Sequence, residues 1–207
     1  MRKIKLYRHA LSGHSHRAEL LLSLLQLDHE LVDVDLVNGE HKQPPFLALN
    51  RFGQVPVLED GDTVLADSNA ILVYLATRYD SSGKWLPREP DRAAGVQRFL
   101  SVAAGPVANG PAAARLVTVF GADKDQQAAI GDAHKLLEVL ECHLTGREWL
   151  VGEYPSIADI ANYSYIAHAP EGGVSLNAYG NVRAWLTRIQ KLPGFVAMQA
   201  TPVGLAA

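Results

Sequence analysis

Cysteine is nearly absent from this chain. Cys142 is the only one in 207 residues, which excludes an internal disulfide framework and a Cys-x-x-Cys redox pair. It lies in Leu136-Leu137-Glu138-Val139-Leu140-Glu141-Cys142-His143-Leu144, a helical pattern in which a packed, inert thiol is expected. Long apolar runs are missing as well. Residues 18–27 are apolar but too short to span a bilayer, and the charged start Met1-Arg2-Lys3 leads into no signal-peptide core. No membrane or secretory segment is expected, and the cytoplasm is the default location. No block of like charge stands out, and the formal net charge is only -3. Nucleic acid and anionic membrane surfaces are therefore poor partners. What the chain does have is 48% hydrophobic and 20% charged residues, enough apolar material for a core and too much for disorder. The length allows one large domain or two small ones.

Hydrophobic patterning divides the chain. Residues 3–7 form a short strand, residues 11–15 a turn and residues 17–27 a helix with an apolar stripe. Leu31, Val32, Val34 and Leu36 mark a second strand over residues 29–37. A polar stretch follows to Phe52, with a short helix at residues 45–49. Two strands, 55–59 and 63–66, flank Asp60-Gly61-Asp62, a hairpin signal. A helix covers residues 68–79. The order is β-α-β-α-β-β-α. Residues 80–91 carry serine, glycine and two prolines and break the pattern. The predicted domains are 1–80 and 91–207, joined by a linker at 81–90. The second is read as all-helical, with helices at 91–104, 112–120, 126–144, 156–167, 179–191 and 193–200. No internal repeat is present.

The richest stretch is Gly53-Gln54-Val55-Pro56-Val57-Leu58, followed by Asp67-Ser68-Asn69-Ala70-Ile71. Val55-Pro56 precedes a strand. It is either a trans proline at a strand edge or a cis bend that presents the Val55 backbone to a ligand. Asp67-Ser68 opens a helix. Both residue types are ordinary N-caps, yet a helix start also attracts a carboxylate through its unpaired N–H groups. Ser68 can add a hydroxyl donor and Asp67 can pair with an ammonium, so the two suit a group bearing both charges on one carbon. Upstream, Gly39-Glu40-His41-Lys42-Gln43-Pro44-Pro45-Phe46 and Leu49-Asn50-Arg51-Phe52 lead into the proline loop.

Taken together these segments resemble the glutathione transferase family, strongly over residues 4–79 and moderately over 147–165. The closest likeness is to a bacterial, cytosolic, Ser-type member of the phi and theta-like classes. The resemblance implies a thioredoxin-like α/β first domain and an all-α second domain. It implies glutathione as co-substrate, with its cysteinyl unit on Val55 and Gln54 nearby. Asp67 and Ser68 would take the γ-glutamyl end, and His41 and Lys42 the glycyl carboxylate. Pro56 would be structural and cis. The catalytic group would lie in His9-Ala10-Leu11-Ser12-Gly13-His14-Ser15-His16-Arg17, where a serine hydroxyl stabilises the glutathione thiolate. Ser12 fits best and Ser15 is the alternative, with His14 lining the pocket. In Gly152-Glu153-Tyr154-Pro155-Ser156-Ile157-Ala158-Asp159, Ser156 and Asp159 form a capping box that serves stability. The expected partners are a small apolar electrophile and a second copy of the chain, with no metal, nucleic acid or membrane. Peroxide reduction is a further activity the resemblance allows. A non-catalytic ligand-binding or regulatory protein and a glutathione-dependent disulfide reductase are the rival readings.

Overall fold

The computed structural model describes residues 3–202, which fall into two compact units. Residues up to Gly83 together with Pro193–Gln199 form the first, and Lys84–Leu192 most of the second.

In the first unit β1 (Ile4–Arg8), α1 (Gly13–Leu24), β2 (His29–Asp33), α2 (Pro44–Leu49), β3 (Val57–Asp60), β4 (Thr63–Ala66) and α3 (Ser68–Tyr79) follow in the expected order. A single 3-10 turn, Glu40–Lys42, precedes α2. The sheet order is β2-β1-β3-β4, with β1 parallel to β2 and the remaining pairs antiparallel. Side chains alternate across the sheet. On one face Tyr7 and Val57 join Val34 and Phe46 of the α2 side. Leu6 and Leu58, opposite each other in register, turn to the other face and are fully buried. α1 contributes Leu20, Leu21 and Leu22 to this core, and α3 contributes Ile71, Leu72 and Leu75, all with 0% exposure.

Local chemistry moved several boundaries. α1 starts at Gly13 rather than Arg17, because Ser12 caps it and accepts the Ser15 N–H. β2 ends at Asp33, since Asp35 takes the Asn38 N–H and turns the chain. The helix expected at residues 193–200 does not form. Gly194 adopts φ 87, and the carbonyls of Gly194 and Val196 accept from Ser23 Oγ at 2.7 Å and His16 Nε2 at 2.9 Å. This segment therefore lies along α1 of the first unit.

The second unit is helical: α4 (Pro90–Ala104), α5 (Pro106–Asn109), α6 (Pro111–Phe120), α7 (Gln126–His143), α8 (Ile157–Ala167) and α9 (Gly180–Gln190). The unforeseen α5 is set off by Gly105 and Gly110. Cys142 is exposed on α7, not packed as its apolar surroundings in sequence suggested. The helix turns its Leu137 and Leu140 stripe inward instead. Tyr163 and Tyr165 of α8 are buried. Among the described residues no helix is long and apolar enough to cross a membrane.

Asp159 organises this unit. Ser156 and Asp159 close a capping box at α8. The Asp159 carboxylate, with 0% exposure, accepts from Ser156 N, Leu150 N and the Trp185 indole at 2.9, 3.0 and 2.9 Å. Burial pushes this carboxyl up, and the N–H donors pull it back. Asp159→Ala would strand these buried donors, a loss of about 3 kcal/mol or more. The melting temperature should fall by about 6 °C or more in a chain this size, which calorimetry will measure.

Candidate functional site

Strand register delivers four segments to one end of the sheet. Val57 opposes Tyr7 in β1 and Ala66 in β4. The residues just before β3, Val55 and Pro56, therefore lie beside the chain leaving β1 and the chain leaving β4. Those exits lead to Ser12 and to Asp67-Ser68. Arg8 pairs with Asp33 in parallel, so β2 exits at the same end toward His41 and Lys42.

The first exit is a tight turn. Ser12 N donates to His9 O at 2.9 Å. Ser12 Oγ accepts from Ser15 N at 3.2 Å and retains its own hydrogen as a donor. Ser12 is half-buried at the mouth of α1. Ser15 is different: it has 0% exposure, and its Oγ accepts the His9 N–H at 3.3 Å. The two serines named from sequence thus occupy unlike places, one at the helix mouth and one folded into the turn. A tyrosine also stands on β1. The Tyr7 hydroxyl donates to Glu59 at 2.9 Å, and burial together with Glu59 pushes its phenol up to about 12. The one hydrogen of this hydroxyl is thus committed to Glu59.

The proline loop is built by residues that sequence reasoning passed over. The Val55-Pro56 bond is cis. Asn50, 7% exposed, accepts the Phe52 N–H at 3.1 Å and donates to Gln54 O at 2.8 Å. Gly53 has φ +57, and a Cβ there would lie 2.7 Å from His41 O. No backbone hydrogen bond among the described residues engages Val55 N–H or C=O, and the Gln54 side chain is exposed. Lys42 does more than supply a charge. Its ammonium donates to Phe52 O at 3.2 Å and Gly53 O at 2.8 Å, tying the His41-Lys42 turn to the loop and leaving one N–H for a ligand. His41 Nδ1 is buried and meets no hydrogen-bond partner among the described residues.

At the third exit Asp67 has φ 73 and ψ 121, a conformation that costs a non-glycine residue about 1–3 kcal/mol. One carboxylate oxygen caps α3 by accepting Ala70 N–H at 2.9 Å, while the residue stays exposed. Ser68, 4% exposed, faces inward. Its Oγ lies 3.2 Å from His14 Nδ1 and 3.3 Å from Arg17 Nη1, and Arg17 Nη1 also donates to Asn69 Oδ1 at 3.0 Å. Arg17 is a guanidinium with only 1% exposure. An arginine at the head of the apolar stripe of the first helix was the signal for it in the sequence. α1 and α3 therefore begin side by side, with His14, Arg17 and Ser68 joining them.

Burial and the Arg17 charge push the His14 imidazole down to about 4, the Asp67 carboxylate opposing them in part. The sign follows. Above the ordinary value of about 6.5 the ring is neutral in both folded and unfolded chains. Between 6.5 and 4 only the unfolded chain gains the proton, so stability falls as pH falls. The full effect is about 3 kcal/mol. Urea unfolding from pH 7 to pH 4 should show that extra loss in the unaltered chain and not in His14→Asn.

Comparison with known proteins bears directly on this arrangement. Residues 2–77 match the family model for the glutathione S-transferase N-terminal domain, and residues 106–193 match that for the glutathione S-transferase C-terminal domain. The chain is 38% identical to Glutathione S-transferase 3 of Zea mays, over 94% of this chain and 92% of that protein. Among solved structures, the glutathione S-transferase from Pseudomonas fluorescens superposes with a TM-score of 0.88 at 36% identity, covering 95% of this chain and 99% of that one. A glutathione transferase homolog from Drosophila mojavensis, solved with bound glutathione, matches with a TM-score of 0.85 at 28% identity, covering 93% and 90%.

Proposed function

The chain belongs to the glutathione S-transferase family, with a thioredoxin-like first domain and a helical second one, and we propose that it is a Ser-type member in which Ser12 stabilises the thiolate of glutathione. The enzyme is a glutathione transferase: it joins the glutathione sulfur to an electrophile. An unassisted thiol has a pKa of about 8.5 and is mostly protonated at neutral pH. Two features at the start of α1 lower that value. The unpaired N–H groups of the helix favour an anion, and the Ser12 hydroxyl donates a hydrogen bond to the sulfur. The thiolate then attacks an electrophilic apolar substrate, forming a carbon–sulfur bond as the leaving group departs with its electron pair. Reduction of hydroperoxides by the same thiolate is a second outcome of this chemistry.

The convergence of three strand exits and the entry of β3 at one sheet end carries this reading. In it, Val55 pairs through N–H and C=O with the cysteinyl unit, and Gln54 lies alongside. Ser68 and the α3 start hold the γ-glutamyl carboxylate, while Asp67 holds its ammonium. His41 and Lys42 face the glycyl carboxylate. Supporting Ser12 over Ser15 is the burial of Ser15 and its bond to His9. A mixed-disulfide mechanism would need a cysteine at the start of α1, and residues 9–17 hold none. The exposed thiol of Cys142 suits a reducing compartment, and we place the enzyme in the cytoplasm.

Turnover with an aryl halide, a hydroperoxide and a mixed disulfide tests the assignment. Ser12→Ala should cut aryl-halide turnover about ten- to a hundredfold, the worth of one charge-assisted hydrogen bond, and raise the pKa of bound glutathione. Affinity for glutathione should hold. Ser15→Ala should lower the melting temperature and leave the thiolate absorbance in place. Loss of the thiolate signal in Ser15→Ala alone would assign the role to Ser15 instead.

We further propose a homodimer. Support comes from large apolar side chains left in water: Phe52 at 81% exposure and Val64 at 43% in the first unit, Phe120 at 45% and Val139 at 60% in the second. Twofold pairing is the commonest way to cover such surface. Light scattering at micromolar concentration should give twice the 22.4 kDa chain mass; a value equal to the chain mass would overturn the dimer.

A further inference from the structure

We propose that His14 is a positioning residue for glutathione: by donating from Nδ1 to Ser68 Oγ, it turns the Ser68 hydroxyl hydrogen toward the γ-glutamyl carboxylate. The inference rests on the assignment of Ser68 to that carboxylate and adds a second residue acting through it.

The argument is one of hydrogen-bond capacity. A serine hydroxyl has one hydrogen to give and two lone pairs to receive. Arg17 Nη1, at 3.3 Å, is a donor in every protonation state and occupies one lone pair. His14 Nδ1, at 3.2 Å, has two choices. As the Nδ1–H tautomer it donates to the second lone pair, and the Ser68 hydrogen is left for a ligand. As the Nε2–H tautomer it accepts the Ser68 hydrogen, and Ser68 has nothing to offer. The choices exclude each other. A carboxylate is acceptor-only, so its arrival requires the first. Exposures of 4% for Ser68 and 1% for Arg17 keep bulk water from substituting for either partner. His14 lies in the first turn of α1, close after Ser12, and Ser68 opens α3. One ring tautomer therefore links the helix that faces the sulfur to the helix that faces the carboxylate.

A thermodynamic cycle tests this. S-methylglutathione, which has no ionisable thiol, is titrated by calorimetry into the unaltered enzyme and into His14→Leu, His14→Asn, Ser68→Ala and the His14→Leu/Ser68→Ala double variant. Loss of one neutral donor should weaken binding about five- to tenfold in His14→Leu. Asn places an amide N–H near the Nδ1 position, so His14→Asn should bind within about twofold of the unaltered enzyme. In the Ser68→Ala background the His14→Leu change should add nothing. His14→Gln, whose amide reaches the Nε2 position instead, should weaken binding like His14→Leu, and it carries the test if the leucine variant does not fold. Independent, multiplying losses from His14→Leu and Ser68→Ala would overturn the role of His14 while leaving Ser68 on the carboxylate. Failure of Asn to rescue would overturn it equally. Unchanged affinity in Ser68→Ala would remove Ser68 from the γ-glutamyl end and the proposal with it.

Discussion

The antiparallel pairing of β3 with both β1 and β4 is the constraint on which the site depends. Val57 faces Tyr7 on one side and Ala66 on the other, which aligns the entry of β3 with the exits of its two neighbours. Side-chain alternation makes this register hard to shift. A slip of one residue would put Leu58, fully buried against α1 and α3, on the face occupied by Tyr7 and Phe46. The core thus protects the geometry of residues that contribute nothing to the core themselves. Ser12, Val55 and Asp67 are held in place by Leu6, Leu58 and Leu72.

Past the sheet edge, order has to come from side chains. The loop from Asn50 to Gln54 has no ladder to join, and its polar groups are satisfied by Asn50 and by the Lys42 ammonium. Gly53 is required by proximity as well as by φ, since the His41 carbonyl lies where a Cβ would go. Asp67 bears the local strain of the site. Its backbone is held at φ 73 by β4 on one side and by the Ala70 cap bond on the other. That conformation leaves Ser68 turned inward to Arg17 and Asp67 exposed. The neighbouring residues are thereby divided between an interior hydroxyl and a surface carboxylate.

Much of this was legible in the sequence, and the limits have physical causes. Periodicity located β1 to β4 and most helices, since each buries one face. Capping chemistry identified Asp67 and Ser156 as helix starts, whereas Ser12 was read as a site residue and the helix it caps was placed four residues too late. The segment Pro193–Gln199 was misread because its apolar residues mimic a helical stripe; whether it packs as a helix or a strap depends on Ser23 and His16, far away in sequence. Cys142 was misread for the related reason that a helix of mixed polarity does not declare which side faces in. Lys42 was legible as a cation near a ligand and not as a brace, because the carbonyls it holds become neighbours only after folding. Asn50 and Arg17 likewise have partners that sequence spacing does not reveal. The preference for Ser12 over Ser15 proposed above rests on burial, to which the spacing of the two serines along the chain is blind.

Electrostatics at the two helix starts connects these observations. α1 and α3 each point an N-terminus at the same region, and each start carries partial positive charge. Each is also capped by its own side chain, Ser12 or Asp67, which satisfies one N–H and leaves others for a ligand. Arg17 adds a full charge beneath them in a setting with 1% exposure. Such a field penalises another cation, which is part of why His14 stays neutral, and rewards an anion. In the proposed binding mode glutathione brings two negative groups to this end, a thiolate and an α-carboxylate, and each helix start can take one. The accompanying ammonium needs a carboxylate in reach, and Asp67 is the acid at the edge of this positive field. The fold therefore sets up the charge pattern before the ligand arrives, and in the proposed assignment hydrogen bonds from Ser12 and Ser68 then select which anion goes where.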